Sequence, residues 1–337
     1  MTRRLQQLLM LCAGTLCALS AGAACRMKDV TEIPVEIATN KLLTQGLING
    51  QPVSVLIDTG ANVSMLWKPA IERLGLRLIN GPRRSVYGLG GESHVYSAFV
   101  DEFQVASFAG RNRRFPVAGD VATGIDFILA EDQLSRPAIV EFDLRHQAIR
   151  TMEPSECTLE QLPYWTKTYS MADLVASPRN AQAMWVDVQL NGHTVRAQID
   201  SGSSISVVSK SVADAAGLRY VNNADQLVGI GPGSLETWLA DVQTFTVGDE
   251  TIKNTQLRVA QMGKYRTTVR LGSRIPVAVA GEPEMLLGLD FLRAHHVLVN
   301  NSEHKLLFTY EGGPVFETAS PPESNANPGG AARLSQH

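Results

Sequence analysis

The chain has 337 residues, of which 44% are hydrophobic and 19% are charged, and its formal net charge at pH 7 is −3. This length and hydrophobic content allow the protein to bury substantial cores, and they predict about two domains. The small negative charge argues against a nucleic-acid-binding protein, because such proteins normally carry a strong excess of Lys and Arg.

The N-terminus has the three-part layout of a secretory signal: two arginines, an apolar run over residues 8–19, and the small residues of "SAGAAC". We predict that residues 1–24 are a signal peptide and that the mature chain begins near Cys25 in the periplasm. The apolar run is short for a transmembrane helix, although an uncleaved anchor is an alternative. A lipid anchor at Cys25 is a second alternative, but Gly22 stands where lipoproteins usually have a larger aliphatic residue.

Removal of the signal leaves two cysteines, Cys25 and Cys157. In an oxidising compartment they can form one disulfide that ties the N-terminus to the middle of the chain, and two unpaired thiols are the alternative. Neither cysteine belongs to a CxxC pair, and the adjacent histidines His295 and His296 lack the spacing of a zinc-binding helix. The sequence therefore predicts no metal site.

An internal repeat organises the mature chain. A shift of 142 residues aligns Asp58 with Asp200, and the register holds without a gap over about thirty residues. The aligned identities are Asn49-Gly50 with Asn191-Gly192, Val53 with Val195, Ile57 with Ile199, Gly60 with Gly202, Ser64 with Ser206, and Gly75-Leu76-Arg77 with Gly217-Leu218-Arg219. We therefore predict one structural unit that is present twice, with one aspartate in each copy.

The elements of each copy follow one another in the same order. A hairpin comes first, because Asn-Gly separates two β-rich segments and the second segment ends at the aspartate. A short helix follows, "KPAIERLGLRL" or "KSVADAAGLRY", and it ends at Gly75 or Gly217. Then come the glycine-rich turns "VYGLGGES" and "LVGIGPGS", the apolar runs "FILAEDQL" and "MLLGLDFL", and a final segment that predicts a hairpin with a polar turn.

Neither glycine-rich turn completes the GxGxxG motif or clearly opens a helix, so the pattern favours a mobile hairpin tip over a nucleotide-binding loop. Between the copies, residues from about 153 to 180 predict an irregular connector. The tail after Glu311 is rich in Pro, Gly, Ser and Asn, a composition that predicts disorder.

The two aspartates form a candidate catalytic pair. When two carboxyl groups lie close together, they do not both ionise readily, and the pair holds one shared proton over a range of pH. One group then acts as a base and the other as an acid, so the pair is able to activate water for attack on an amide carbonyl. A turn-capping role is the alternative for a single Asp-Thr-Gly, and duplication of the whole pattern argues against it.

The residues that follow each aspartate are predicted to support the pair. The hydroxyl groups of Thr59 and Ser201 are expected to form hydrogen bonds across the interface and hold the two turns rigid. Gly60 and Gly202 are expected to let the backbone pass close to the carboxylates and to donate amide hydrogen bonds to them.

The sequence resembles the retropepsin-like aspartic proteases. The features that carry the resemblance are "IDTGA" at residues 57–61, "IDSGS" at residues 199–203, the glycine-rich flaps near Gly88 and Gly229, and the closing "LLGLDFL" at residues 286–292. The resemblance extends from about residue 33 to residue 310. It implies a mostly β protein with two tandem retropepsin-like lobes, each a closed β-barrel-like unit, and an active site at the lobe interface.

The signal layout, the repeat and the tail composition predict the domain boundaries, and the resemblance implies the roles of individual residues. The expected segments are a signal peptide (1–24), an N-terminal lobe (30–152), a connector (153–181), a C-terminal lobe (182–311) and a disordered tail (312–337). The catalytic residues are expected to be Asp58 and Asp200, supported by Thr59, Gly60, Ser201, Gly202 and Ser203. The flap and substrate-binding residues are expected to be Tyr87, Gly88, Gly90, Gly91, Gly229, Gly231 and Gly233. No cofactor is implied.

The two copies differ near the site. Ala130 stands where the second copy has Gly288, and a non-glycine residue there either strains the turn or avoids positive φ. The second copy has about sixteen more residues before its closing motif, which predicts an extra loop near residues 261–280 that covers or shapes the cleft. Asp132 and Asp290 of the closing motifs are predicted to be structural.

One further difference suggests a hypothesis about protonation. Ser203 follows Gly202 where the first copy has Ala61, so a hydroxyl hydrogen bond is expected at Asp200 only. Hydrogen bonds to the charged form lower the pKa of a carboxyl group. The sequence therefore predicts that Asp200 is more often ionised and that Asp58 carries the proton.

The favoured function is that of a periplasmic aspartic endopeptidase whose two lobes pair within one chain and whose substrate is an extended peptide or an unfolded protein. A non-catalytic peptide-binding module on the same fold is the alternative, because a fold alone does not imply a function. A dimer in which lobes of two chains pair is an alternative to the monomer.

Overall fold

The computed structural model of the chain describes residues 25–119, 124–176, 184–229, 233–262, 268–269, 277–278 and 283–316. Within these residues the fold is mostly β, as predicted, with two closed barrels and a sheet that joins them. No helix in the described ranges is long and apolar enough to span a membrane. The predicted signal peptide, residues 1–24, lies outside them.

The first half of the chain supplies one barrel and three strands of the joining sheet. Its elements in chain order are β1 (Arg26–Pro34), β2 (Glu36–Ala38), β3 (Lys41–Ile48), β4 (Gln51–Asp58), β5 (Met65–Trp67), α1 (Lys68–Arg73), β6 (Arg77–Gly88), β7 (Gly91–Val105), β8 (Phe108–Ala118), β9 (Phe127–Ala130), α2 (Glu131–Leu134), β10 (Ile139–Asp143), a 3₁₀ helix (Leu144–His146) and β11 (Ala148–Ser155).

The second half supplies the other barrel and the remaining three strands of the joining sheet. Its elements are a 3₁₀ helix (Leu159–Gln161), β12 (Ser170–Val175), β13 (Trp185–Leu190), β14 (His193–Ile199), β15 (Val207–Ser209), α3 (Lys210–Ala215), β16 (Arg219–Val228), β17 (Ser234–Val247), β18 (Glu250–Ala260), β19 (Thr268–Val269), β20 (Val277–Ala278), β21 (Met285–Leu287), α4 (Leu289–Ala294), β22 (His295–Asn300) and β23 (Lys305–Tyr310).

The two barrels have the same strand order. The N-lobe barrel runs β3-β4-β9-β5-β8-β7 and closes through the pairing of β3 with β7. The C-lobe barrel runs β13-β14-β21-β15-β18-β17 and closes through β13 and β17. β6 and β16 extend the barrels at β7 and β17, so each lobe carries one long hairpin. The duplicated sequence therefore folds into duplicated topology.

The predicted opening hairpins are confirmed as β3–β4 and β13–β14. In both turns the asparagine and the glycine have positive φ, at 49° and 75° for Asn49 and Gly50, and at 49° and 82° for Asn191 and Gly192. Two left-handed residues in a two-residue turn match the right-handed twist of the flanking strands, and Asn-Gly adopts that conformation at the lowest cost. The turn chemistry thus fixes the register of the strands that lead to the aspartates.

The predicted short helices are confirmed as α1 and α3. A glycine follows each of them in the left-handed conformation, Gly75 with φ of 62° and Gly217 with φ of 65°. Such a residue ends a helix because its backbone turns away while its amide still reaches a helical carbonyl. The amides of Gly75 and Gly217 donate to Glu72 O and Asp214 O.

A six-stranded antiparallel sheet joins the lobes in the order β1-β11-β10-β22-β23-β12. Its centre is the pairing of β10 with β22, which are the first strands of the two predicted closing hairpins. β1 and β12 cover the outer edges of those hairpins. The prediction of an irregular connector was therefore wrong for Ser170–Val175. This segment is a strand that forms backbone hydrogen bonds with β23, whose edge would otherwise be exposed.

The connector also covers one face of the joining sheet. Cys157 is joined to Cys25 in a disulfide, which attaches the start of the connector to the start of β1. Beyond Cys157 the connector packs on an apolar cluster formed by Ile139, Met152, Leu162, Leu298 and Leu307. The connector is thus held by a covalent bond at one end and by buried apolar surface along its length.

The start of the C-terminal tail is ordered. Phe316 is buried, and its ring makes an edge contact with the ring of Phe245 in the C-lobe core at 5.0 Å between centroids. The prediction that disorder begins at residue 312 was therefore wrong for Phe316, because a large apolar side chain gains stability when it packs on a barrel. Residues 317–337 lie outside the described residues.

Candidate active site

The same local geometry delivers each aspartate to the interface between the barrels. β4 ends at Asp58, and β14 ends one residue before Asp200. Parallel pairing of β4 with β9, and of β14 with β21, holds both strand ends in place. In each turn the two amides that follow the aspartate donate to its Oδ1, at 3.0 Å from Gly60 and 2.9 Å from Ala61 to Asp58, and at 3.0 Å from both Gly202 and Ser203 to Asp200.

Reciprocal hydrogen bonds connect the two turns. Thr59 Oγ1 donates to Ile199 O at 2.7 Å and accepts from Ser201 N at 3.0 Å. Ser201 Oγ donates to Ile57 O at 2.8 Å and accepts from Thr59 N at 3.1 Å. Thr59 and Ser201 are 0% and 1% exposed, so water does not compete for these bonds. The hydroxyl bonds expected across the interface are therefore present within one chain.

Gly60 and Gly202 bring each turn against the opposite carboxyl group. A Cβ atom at Gly60 would overlap the carboxyl group of Asp200, and a Cβ atom at Gly202 would overlap that of Asp58. Neither glycine has positive φ, so the requirement comes from the close approach and not from backbone conformation. The aspartate pair is therefore surrounded by these two glycines and by Thr59 and Ser201.

Burial and proximity raise the pKa of both aspartates. Burial raises the pKa of Asp200 to about 8, and the charge of Asp58 adds to this effect. Burial also raises the pKa of Asp58, but the amides of Ala61 and Gly60 and the charge of Lys41 oppose the rise. The two side chains are hydrogen-bonded to each other. The pair therefore retains one proton near neutral pH, with Asp58 as the more readily ionised group.

This order of ionisation is the reverse of the sequence-based hypothesis. Ser203 Oγ donates to Ile205 O at 2.8 Å, two residues along the same turn. Asp200 receives the amide of Ser203 and not its hydroxyl. The hypothesis that a Ser203 hydroxyl bond favours ionised Asp200 was therefore wrong, because a nearby backbone carbonyl is the partner of that hydroxyl.

The two long hairpins, β6–β7 and β16–β17, meet at their tips. The amide of Gly233 donates to the carbonyl of Gly90 at 2.9 Å. Leu89, at the tip of the first hairpin, packs on a C-lobe cluster of Ile205, Val207, Leu235 and Ala260. This cluster begins five residues after Asp200, so the first hairpin reaches over the interface and contacts the opposite lobe.

Of the predicted flap glycines, those that the structure describes lie at or beside these tips. Gly88 pairs with Gly91 at the end of the first hairpin, and Gly91 has φ of 103°, a conformation that favours glycine. A Cβ atom at Gly229 would lie 2.9 Å from Leu89 Cβ, so the second tip also approaches the first closely. Gly231 and the side chain of Tyr87 lie outside the described part of the chain, as does most of the predicted loop at residues 261–280.

A serine and an aspartate brace each closing strand. Ser64 N and Oγ donate to Asp132 Oδ1 at 2.9 and 2.6 Å. In the C-lobe, Ser206 N and Oγ donate to Asp290 Oδ2 and Oδ1 at 3.0 and 2.7 Å. Burial raises the pKa of Asp290 to about 6 despite these bonds. Asp132 and Asp290 thus hold the backbone that follows the turns of the catalytic candidates. This is the structural role predicted from the closing motifs.

The difference between Ala130 and Gly288 has a steric cause. Ala130 has φ of −106° and Gly288 has φ of −84°, so neither turn requires the left-handed conformation. A Cβ atom at Gly288 would overlap the backbone carbonyl of Ile205. Of the two alternatives for Ala130, avoidance of positive φ is the one that the structure shows, and the close approach of the Asp200 turn at Ile205 explains the glycine at position 288.

Three residues near the site were missed by the sequence analysis. Gln198 Nε2 donates to the carbonyls of Thr59 and Gly60 at 3.2 and 3.3 Å and so adds a cross-lobe contact. Leu89 fills the apolar cluster described above, and Lys41 acts electrostatically on Asp58. Only the position of Leu89 within a glycine-rich turn gave any signal in the sequence.

The described residues contain one buried group of candidate metal ligands, Glu141, Asp143 and His296 on the joining sheet. Arg150 Nη1 lies between the two carboxylates, at 3.2 Å from Glu141 and 2.9 Å from Asp143. His296 Nε2 lies 2.7 Å from Glu141. A guanidinium group already balances this negative charge, so the cluster fits an ion-pair network of the sheet.

Comparison with known proteins agrees with the repeat and with the two barrels. A family model described as aspartyl protease matches the chain twice, over residues 44–131 and 186–291. Each match contains one aspartate turn and one closing strand, and together they span more than half of the chain. A search of curated proteins finds no match. The chain therefore belongs to the aspartyl protease family, as a tandem pair of retropepsin-like lobes.

Proposed function

We propose that this protein is an aspartic endopeptidase exported to the periplasm, in which Asp58 and Asp200 activate a water molecule that hydrolyses a peptide bond. The observation that carries the proposal is the pair itself: two hydrogen-bonded carboxyl groups, Asp200 buried and Asp58 partly buried, at the centre of a two-fold arrangement that crosses the lobe interface. Membership in the aspartyl protease family supports the same reaction class.

In the proposed reaction Asp58 begins ionised and Asp200 carries the proton. Asp58 accepts a proton from the water as its oxygen attacks the peptide carbonyl carbon, and Asp200 donates its proton to the carbonyl oxygen. Asp58 then passes its proton to the amide nitrogen while Asp200 takes a proton from one hydroxyl of the gem-diol. The C–N bond breaks, and the pair returns to its starting protonation without a covalent enzyme intermediate or a cofactor.

The proposed substrate is an extended peptide or an unfolded protein segment. We place the substrate between the barrels and under the two hairpin tips, which contact each other through Gly90 and Gly233. Both tips must separate to admit a chain, and their closure would then exclude water other than the attacking molecule. Strand edges in the hairpins offer backbone hydrogen bonds to an extended segment, a mode of binding that does not require a folded partner.

The proposed location rests on two features. The first 24 residues have the layout of an export signal. The Cys25–Cys157 disulfide is typical of an oxidising compartment. The same disulfide argues against a lipid anchor, because the sulfur of Cys25 would be needed for the thioether bond. The reciprocal bonds of Thr59 and Ser201 within one chain favour a monomer over an intermolecular pair.

A cleavage screen tests the proposal. The chain from Cys25 onward, purified with its disulfide intact, is incubated with a diverse library of unstructured peptides from pH 3 to 8, and the products are identified by mass spectrometry. We expect cleavage by the wild type and none by Asp58→Asn or Asp200→Asn. Asp249→Asn, at an exposed turn between β17 and β18, is the matched control and is expected to cleave normally.

Two outcomes would contradict the proposal. Cleavage that survives both active-site substitutions would mean that another group or a contaminant hydrolyses the peptides. A folded wild type that binds peptides but cuts none at any pH would favour the non-catalytic peptide-binding module. Intact mass of the protein recovered from the periplasm also checks the location proposal, since a chain that retains the whole signal segment, or that carries acyl groups on Cys25, would contradict it.

A further inference from the structure

We infer that Lys41 is a positioning residue for the aspartate pair: its positive charge keeps Asp58 ionised and leaves the shared proton on Asp200. The inference rests on the proposed function and deepens it, because it assigns the base to one lobe and the acid to the other. It concerns a residue outside the motif regions from which the family resemblance was drawn.

Strand register brings Lys41 to Asp58. β3 and β4 are antiparallel, and their ladder pairs Leu43 with Leu56 near the end that carries the aspartate. The ladder ends at this pair; Lys41 begins β3 two residues before Leu43, and Asp58 ends β4 two residues after Leu56, so both lie at the same end of the hairpin. Residues two apart on a strand project from the same face, so Lys41 and Asp58 share the face of Leu43 and Leu56.

Burial shows which face this is. Leu42 is fully buried in the core of the N-lobe barrel, so the neighbouring Lys41 and Leu43 project from the other face. Leu43 packs on a separate cluster that includes Leu56 and Ala61, beside the aspartate turn. Lys41 is half-buried, so its charge is only partly screened by solvent.

Asp200 and Lys41 are the charged side chains that act most strongly on the pKa of Asp58 among the described residues. Asp200 forms a hydrogen bond with it from the C-lobe turn, and the charge of Lys41 on β3 lowers its pKa. Glu131 at the start of α2 is buried, and its carboxylate accepts a hydrogen bond from the backbone before β13. Glu36 on β2 is exposed to solvent. Lys41 is therefore the cation that acts on Asp58, and it offsets the negative charge of the pair.

The sequence of the C-lobe places an uncharged residue at the equivalent position. At the repeat offset of 142 residues, the position that aligns with Lys41 is Ala183. The backbone amides that bind Asp58 and Asp200 are the same in number and almost the same in length. The lysine is thus the charge that distinguishes two otherwise matched sites.

The pKa shifts agree with this geometry. The charge of Lys41 lowers the pKa of Asp58, against a larger effect of burial that raises it. Burial is the largest influence on Asp200, followed by the charge of Asp58, and both raise its pKa.

The first experiment measures kcat/KM against pH on a peptide that the wild type cleaves. Lys41→Met keeps the length of the side chain and removes the charge, and we expect it to move the acid limb of the profile upward by about 0.5–1 unit, because the cation no longer favours ionised Asp58. Lys41→Arg restores a positive charge and is expected to keep the wild-type limb. Lys253→Met, at an exposed position of β18, is the matched control and is expected to change nothing.

A second measurement does not depend on cleavage. The carboxyl carbons of Asp58 and Asp200 are titrated by NMR in ¹³C-aspartate-labelled protein and assigned by their loss in Asp58→Asn and Asp200→Asn. We expect Lys41→Met to raise the pKa of the group that ionises first, and that group to be Asp58. An unchanged titration, or an unchanged acid limb in an active Lys41→Met variant, would overturn the inference. A wild type that titrates as expected but cleaves nothing would contradict the proposed function alone.

Discussion

The N-lobe and the C-lobe share the geometry that holds their aspartates, but they differ in the groups that surround it. Each lobe has an Asn-Gly hairpin, an aspartate turn, a cross-lobe hydroxyl bond and a serine–aspartate brace. Around these shared parts, the charge of Lys41 acts on Asp58, and an alanine aligns with Lys41 in the sequence of the other lobe. Likewise Ala130 in one closing turn corresponds to Gly288 in the other.

The comparison separates two tasks of the site. Backbone amides, glycines and hydroxyl groups fix where the two carboxyl groups lie, and symmetry serves this task because each lobe supplies the partner of the other. To place the proton on one of the two carboxyl groups, the lobes must differ in the charges around them, and the parts that the lobes share provide no such difference. We therefore expect substitutions in shared parts to act alike in both lobes, and substitutions in the unshared parts to act on one lobe only.

The largest effect is expected from the glycines of the aspartate turns. Gly60→Ala and Gly202→Ala each place a methyl group against the opposite carboxyl group. Displacement of a catalytic group by about 1 Å costs on the order of 100-fold in rate, so both variants should lose at least that much kcat/KM. Kinetics with the screened peptide check this, and unequal losses in the two variants would break the proposed symmetry.

The next effect is expected at the closing turns, where the lobes differ. Gly288→Ala introduces a Cβ atom that overlaps the carbonyl of Ile205, and we expect a loss of about 1–3 kcal/mol in the free energy of unfolding. The matched substitution Ala130→Gly changes backbone freedom and should cost only about 0.5–1 kcal/mol. Urea unfolding measures both, and equal costs would argue against a steric cause for the glycine at position 288.

The pH dependence of stability should separate the two aspartates. Asp200 has a folded pKa of about 8, above its unfolded value of 3.8, so the folded state binds more protons between these limits and stability falls as pH rises through that range. Asp200→Asn removes this loss and should raise the free energy of unfolding at pH 7 by about 1 kcal/mol or more.

Asp58→Asn should keep more of the decrease in the free energy of unfolding with rising pH. Burial is the largest influence on the pKa of Asp200, and it persists in this variant. Urea unfolding of wild type and both variants from pH 4 to 8 tests this order. If the free energy of unfolding depends less on pH in Asp58→Asn than in Asp200→Asn, the shared proton belongs to Asp58.

The smallest effect is expected from Ser203→Ala. The hydroxyl group of Ser203 donates to Ile205 O and not to Asp200, so the acid limb of the activity profile should move by less than about 0.2 units. An upward shift of the acid limb comparable with that expected for Lys41→Met would restore the hypothesis that the serine hydroxyl sets the ionisation of Asp200.

Much of the site was predictable because its signals are local. Asn-Gly turns, a glycine after each helix and an aspartate at the end of an apolar strand depend on residues within one turn or strand. The constant offset of 142 residues then indicated that Asp58 and Asp200 belong to equivalent positions. Duplication of a local pattern thus predicted both the two barrels and the pair of carboxyl groups.

The missed contacts join residues that are distant in sequence. Gln198 is a single polar residue within an apolar strand, and its partners Thr59 and Gly60 belong to the other lobe. The strand Ser170–Val175 exists because β23 offers it an edge, and Phe316 is buried because the C-lobe offers it an apolar surface. Their composition alone resembles that of a linker or a tail.

The sequence by itself determined the repeat, the turn types, the helix ends and the identity of the paired aspartates, because these depend on backbone preferences and periodicity over a few residues. Only the tertiary structure decided which carbonyl binds the Ser203 hydroxyl, why residue 288 is glycine, and that the charge of Lys41 acts on Asp58. These features depend on distances between separate strands, and such distances are set when the barrels close and the two lobes pack together.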